Sequence, residues 1–145
     1  MNFKDCFQFA NENPQCYLAT TEGDQPRVRV MLMWFANEKG FYFCGLAPKN
    51  VWKQIEANPK IEICFLNHPP EFKDVKVLRV TGQAEFIEDL ALKEKVLEDR
   101  PMYKQFGTGK PDDSTYPVFR VAHGEAWFWT PQYILKEAEA ERIRF

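Results

Sequence analysis

The chain has 145 residues and a mass of 17.1 kDa, with 45% hydrophobic and 28% charged residues, a length and balance that suit one globular domain spanning residues 1–145. A net charge of −2 and a pI near 5.8, with lysines scattered rather than gathered in a stripe, argue against a nucleic-acid binder. The apolar run Met31 to Ala36 is far too short to cross a bilayer and no secretory hydrophobic region is present, so no membrane association is expected.

Residues 2–12 place Phe3, Cys6, Phe7 and Ala10 at helical spacing, and Asn13-Pro14 stops that helix. "CYLATT" (16–21) reads as a short strand and "EGDQ" (22–25) as a turn. A longer apolar strand follows over roughly 26–35. "ANEKG" (36–40) then forms a hairpin turn and "FYFCG" (41–45) the return strand. In 46–59 the period changes, with Val51, Trp52 and Ile55 on one helical face, Pro48 near the first turn and Asn58-Pro59 at the end. "KIEICFL" (60–66) alternates as a strand. The long strand 75–87 carries Gly82, a sign of a bulge, a sharp bend or a close backbone approach. Asp89 is placed to cap a helix running to about residue 99. Residues 100–115 read as a loop, and 116–122 and 125–130 as two strands. The tail 131–145 fits either a helix or, at "RIRF", a last short strand. Five to seven strands with hairpin connections and no sustained strand–helix alternation indicate a small antiparallel barrel with peripheral helices.

The segment "QPRVRVMLMWF" (25–35) carries the chemistry. Alternation puts Arg27, Arg29, Met31, Met33 and Phe35 on one face, with Val28, Val30, Leu32 and Trp34 on the other. Both faces are apolar beyond residue 29, which points to a central strand. Its hairpin partner should bring Phe43 to Gly45 to the arginine end, followed by Lys49 and Asn50 at the start of a helix. A helix N-terminus presents free N–H groups and about half a positive charge. Two guanidinium groups, an ammonium and a helix N-terminus would then converge on a phosphate, with Met31 and Met33 beside a flat aromatic head group. The plainer alternative for Arg27 is a pair with Glu22 or Asp24, and for Lys49 solvation in a loop.

The four cysteines, Cys6, Cys16, Cys44 and Cys64, show no C-x-x-C spacing, and with only His68 and His123 beside them they form no zinc pattern. Free thiols fit a reducing cytoplasm.

In its order of elements the sequence resembles the flavin-binding split-barrel family, of which pyridoxamine 5'-phosphate oxidase is the best-known member. The matching segment is "RVMLMWFANEKGFYFCGLAPKNVWKQIEANPKIEICF" (29–65), with "VTGQAEFIED" (80–89) after it. The likeness extends over about residues 10–90 and more loosely over 116–130. It implies a mainly β (α+β) fold, a six-stranded antiparallel split β-barrel with short peripheral helices, forming a homodimer with FMN at the interface. By the same resemblance Arg29 falls at the arginine that holds the flavin phosphate. Lys49 and Asn50 lie in the loop that adds phosphate contacts, and Cys44 and Gly45 lie where the family lines the ribityl chain and ring. Trp127 matches a tryptophan that reaches the flavin from the partner subunit; core packing is its plainer role. The segment "VLEDRPMYK" (96–104) keeps Arg100-Pro101 but has Val96 and Lys104 where the oxidase proper has a Tyr and a Ser for its substrate. The resemblance is therefore to the shorter general-stress and nitroimidazole-reductase-like members rather than to the vitamin B6 enzyme.

Two functions follow from it. One is an FMN-dependent oxidoreductase acting on a small molecule, with no side chain needed as acid or base and with NAD(P)H docking transiently, since no dinucleotide fingerprint is present. The other is a non-catalytic or stress-related module that binds flavin, haem or the deazaflavin F420, haem calling for an axial His, Cys, Met or Tyr; the plainest reading is a structural dimer with no ligand.

Overall fold

Eight strands form one antiparallel sheet in the computed structural model, which describes every residue from Met1 to Phe145. Helix α1 (Phe3–Glu12) opens the chain. The Asn2 side chain accepts from the Asp5 N–H and the Asp5 carboxylate from the Asn2 N–H, a reciprocal cap that satisfies two end donors. Strands β1 (Gln15–Glu22) and β2 (Gln25–Leu32) form a hairpin, as do β3 (Phe35–Asn37) and β4 (Gly40–Cys44). Helix α2 (Asn50–Ala57) leads into β5 (Lys60–Leu66) and β6 (Val77–Phe86). Helix α3 (Leu90–Asp99), capped by the Asp89 carboxylate on the Leu92 N–H, precedes β7 (Val118–Trp129) and the terminal β8 (Ile143–Arg144). The strand order is β2-β1-β5-β6-β7-β4-β3, with β8 beside β7. Six strands have five residues or more; β3 and β8 are short additions of three and two. This is the antiparallel, mainly β architecture expected from the sequence.

The expected single strand 26–35 is in fact two. The chain leaves β2 at Leu32 and enters β3 at Phe35. Between them the Met33 N–H donates to the Pro14 carbonyl (2.8 Å) and the Trp34 N–H to the Tyr42 carbonyl (3.0 Å). Two residues thus carry the chain from one end of the sheet to the other and close the barrel. As a result β2 pairs with β1, not with β4, and Arg29 stands opposite Leu18. Nor is β2 a central strand: it ends the sheet, and Val28, Val30 and Leu32 are 71%, 56% and 55% exposed. The expected strands 116–122 and 125–130 are one continuous β7: the register shifts where β6 advances two residues, from Gly82 to Ala84, while β7 passes three, from Gly124 to Val121, so the extra residue is a bulge within β7 rather than a break between strands.

Inside the barrel the alternation of β1 and β5 buries Cys16, Leu18 and Thr20 against Ile61, Ile63 and Phe65. Phe43 and Phe119 stack at 4.8 Å. Each such side chain contributes roughly 1.5–3 kcal/mol by burial. The tail returns to the sheet through β8. Its last residue, Phe145, stacks on Phe3 at 4.4 Å and meets Phe41 edge-on, so both ends of the chain share one aromatic cluster. No helix is long and apolar enough to cross a membrane.

Candidate functional site

A cavity of about 510 Å³ lies between β2, the end of β4, the start of α2 and the turn after α3. That volume is in the range of small-molecule sites. Arg29, Met31, Cys44, Gly45 and Lys49 all line it, joined by Trp52, Asp99, Arg100, Met102 and Tyr103. The residues expected around a β2–β4 hairpin therefore do meet, but across the closure of the barrel rather than by direct strand pairing.

Arg29 is half-buried and held by neutral groups. Nη1 donates to the Leu18 carbonyl (3.1 Å) and to Thr20 Oγ1 (2.8 Å), and Nη2 donates to Gln54 Oε1 (2.5 Å). Thr20 Oγ1 donates to the same Gln54 oxygen at 2.6 Å, so both acceptors sit on the Nη1–Nη2 edge. Nε and the second Nη2 hydrogen are left without a protein partner. No carboxylate pairs with Arg29, and burial alone pulls its pKa down. A desolvated guanidinium with one open edge suits a bidentate oxyanion.

Lys49 is the N-cap residue of α2 and uses no side chain to cap it; its ammonium makes no ion pair or hydrogen bond. Arg100 bonds through Nη2 to the Leu32 and Met33 carbonyls and through Nη1 to the Tyr103 hydroxyl (3.0 Å). The lining thus holds three cations against one carboxylate, Asp99, which already accepts from Trp34 Nε1 at 2.9 Å. Gly45 is needed for packing as well: a Cβ there would stand 2.4 Å from the Trp52 ring.

Cys44 is buried in this lining, and desolvation pushes its pKa up to about 11, with Arg100 and Tyr103 drawing it down less. It is a neutral thiol at pH 7, which does not suit a nucleophile. Cys6 and Cys16 are raised in the same way, to about 11 and about 12. No group of three or more His, Cys, Asp or Glu is placed to hold a metal ion.

Three candidates lie outside the lining. Arg27 is exposed and pairs with Glu22 at 3.1 Å, the plainer of its two expected roles. Asn50 opens α2 but points to solvent. Trp127 lies on the outer face of β7, buried beneath the guanidinium groups of Arg142 (3.7 Å) and Arg79 (4.9 Å), with its Nε1 unpartnered. Thr20, Gln54 and Tyr103 were not legible as site residues; only the retained Arg100-Pro101 hinted at the wall after α3.

Residues 4–130 match the family model described as pyridoxamine 5'-phosphate oxidase. Among solved structures, a NimC/NimA family protein from Clostridium acetobutylicum superposes with a TM-score of 0.76 at 30% identity, covering 98% of this chain and 92% of that one. A FAD-binding protein from Mesorhizobium loti gives 0.65 at 17% identity, with 88% and 94% covered. HutZ, the haem storage protein of Vibrio cholerae, gives 0.64 at 16%, with 90% and 95% covered. No curated protein matches the chain.

Proposed function

Because the chain belongs to the pyridoxamine 5'-phosphate oxidase family, we propose that the cavity beside Arg29 binds FMN and that the protein is an FMN-dependent oxidoreductase acting on a small molecule. The observation that carries this reading is that Arg29, with one edge free of protein partners, lines the same cavity as an unpaired Lys49. Arg29 would grip the phosphate with Nε and Nη2, and Lys49 and the first N–H groups of α2 would add charge and donors. Met31, Cys44 and Gly45 offer an apolar wall for the rest of the molecule. Arg27 and Asn50 would act from the rim only.

Bound flavin supplies hydride or electron transfer; the protein supplies binding, orientation and exclusion of water. Haem would find no histidine here, since His68 and His123 lie outside the cavity and are exposed, and would have to take its axial ligand from Met31, Cys44, Met102 or Tyr103. The redox reading is tested by adding NADH or NADPH to FMN-loaded protein without oxygen. Bleaching of the flavin absorption is expected; a flavin that stays oxidised with both donors favours the non-catalytic module.

A homodimer completes the reading. Val28, Val30 and Leu32 form an exposed apolar row on β2, an edge that a partner would cover. The cross-strand register runs from Val30 through Tyr17, Cys64 and Arg79 to Trp127, so Trp127 shares the outer face with that row. Packing through this face would bring Trp127 toward the partner's flavin. Val30→Asp should convert a dimer into a folded monomer by light scattering, at unchanged far-UV circular dichroism; an intact dimer would move the interface elsewhere. The unpaired cysteines suit a reducing cytoplasm.

A further inference from the structure

Gln54 sits on the inner face of α2, 6% exposed, between a cation and an anion. Its Oε1 accepts from Arg29 and from Thr20, and its Nε2 donates to Glu22 Oε2 at 3.0 Å. Glu22 in turn accepts from Arg27. The three partners fix the amide orientation, with oxygen toward Arg29 and nitrogen toward Glu22. We infer that Gln54 is the positioning residue of the anion site, a neutral spacer that aims Arg29 into the cavity and keeps Glu22 from neutralising it.

The physical case is one of charge. A guanidinium within reach of a carboxylate forms a bidentate pair and loses its capacity for a second anion. Glu22 is the nearest acid to this network, and its carboxylate is held below the usual range by the hydrogen bond from Gln54 first and by Arg27 second. The amide between them bonds both without adding charge to either. Thr20, 3% exposed, supports the arrangement by donating to the same oxygen, so Arg29 keeps one geometry before any ligand arrives. A ligand ending in a phosphate gains from this device; one without a phosphate does not.

This inference rests on the flavin reading of the cavity, and the test separates the two. FMN and riboflavin, which differ by the phosphate, are titrated by fluorescence against the wild-type protein, Gln54→Glu and Glu22→Gln. In Gln54→Glu a carboxylate of the same shape meets Arg29, and FMN affinity should fall about tenfold or more. Riboflavin affinity should stay the same. In Glu22→Gln, FMN affinity should hold within about twofold, because the removed charge never reached Arg29. Equal losses of FMN and riboflavin in a folded Gln54→Glu protein, or no loss of FMN, would overturn the role. If Gln54→Glu does not fold, Glu22→Gln decides: a gain in FMN affinity well beyond twofold means that Glu22 was neutralising Arg29 and refutes the spacer. If wild-type protein binds neither flavin, the flavin reading fails, and pyrophosphate followed by calorimetry decides the role. Binding that Gln54→Glu abolishes supports it; binding that persists, or none to the wild type, overturns it.

Discussion

Arg29→Ala should weaken FMN binding by about 2–4 kcal/mol, the cost of removing a charge-assisted, bidentate contact to a phosphate in a partly desolvated site. The loss should be specific. Thr20 and Gln54 still bond to each other after the truncation, so no buried polar group is stranded and the fold should be little affected. Riboflavin, which offers no phosphate, should bind both proteins alike. Arg27→Ala is the matched control: its guanidinium is spent on Glu22 at the surface, and its removal should change FMN affinity by well under 1 kcal/mol. The check is a fluorescence titration of both flavins against both variants. Equal effects at the two positions would mean that the cavity is not the phosphate site.

A large effect on stability is expected at a glycine outside the cavity lining. Gly124 on β7 stands opposite Gly82 on β6, beside the register shift between the two strands. A Cβ at Gly124 would fall 1.9 Å from the Thr81 carbonyl oxygen and 3.2 Å from the Gly82 Cα, both backbone atoms that cannot rotate away. Gly124→Ala must therefore part β6 from β7, the two longest strands, and should cost about 3 kcal/mol or more. Gly23→Ala provides the contrast. That glycine has a φ of 62° in the β1–β2 turn but open space around it, so only the backbone conformation is penalised, by about 1 kcal/mol. Urea denaturation of the two variants should order them in this way; a smaller loss for Gly124→Ala would mean that the strands can separate at little cost.

Much of this architecture was legible in the sequence because it depends on local pattern. Helical spacing located α1 and α2, the Asp89 cap located the start of α3, and the alternation of "KIEICFL" located β5. Gly82 flagged a close backbone approach, and a Cβ there would stand 2.6 Å from the His123 carbonyl oxygen, although the extra residue of the bulge lies on β7. The break at Met33-Trp34 was not legible. It arises from carbonyls of Pro14 and Tyr42 at opposite ends of the sheet, and no residue in the apolar run 30–36 announces it. An edge strand with an apolar outer face reads the same as a central strand, which is why β2 was misplaced.

The site divided along the same line. Arg29, Met31, Cys44, Gly45 and Lys49 meet as expected, although the sheet brings them together by a different route. Gln54 and Thr20 escaped notice because a buried amide and a buried hydroxyl carry no signature until their partners are known. Arg27 shows the converse. Its alternation with Arg29 was correct, but one step along the strand reaches the rim, where Glu22 is waiting.

If this cavity holds a flavin by its phosphate, the binding stoichiometry and affinity of FMN for the purified wild-type chain will show it. Quenching of FMN fluorescence should saturate at one FMN per chain, with riboflavin bound at least tenfold more weakly, the difference of about 1.4 kcal/mol or more that a phosphate contact should provide. An absence of saturable quenching, or equal affinity for FMN and riboflavin, would contradict it.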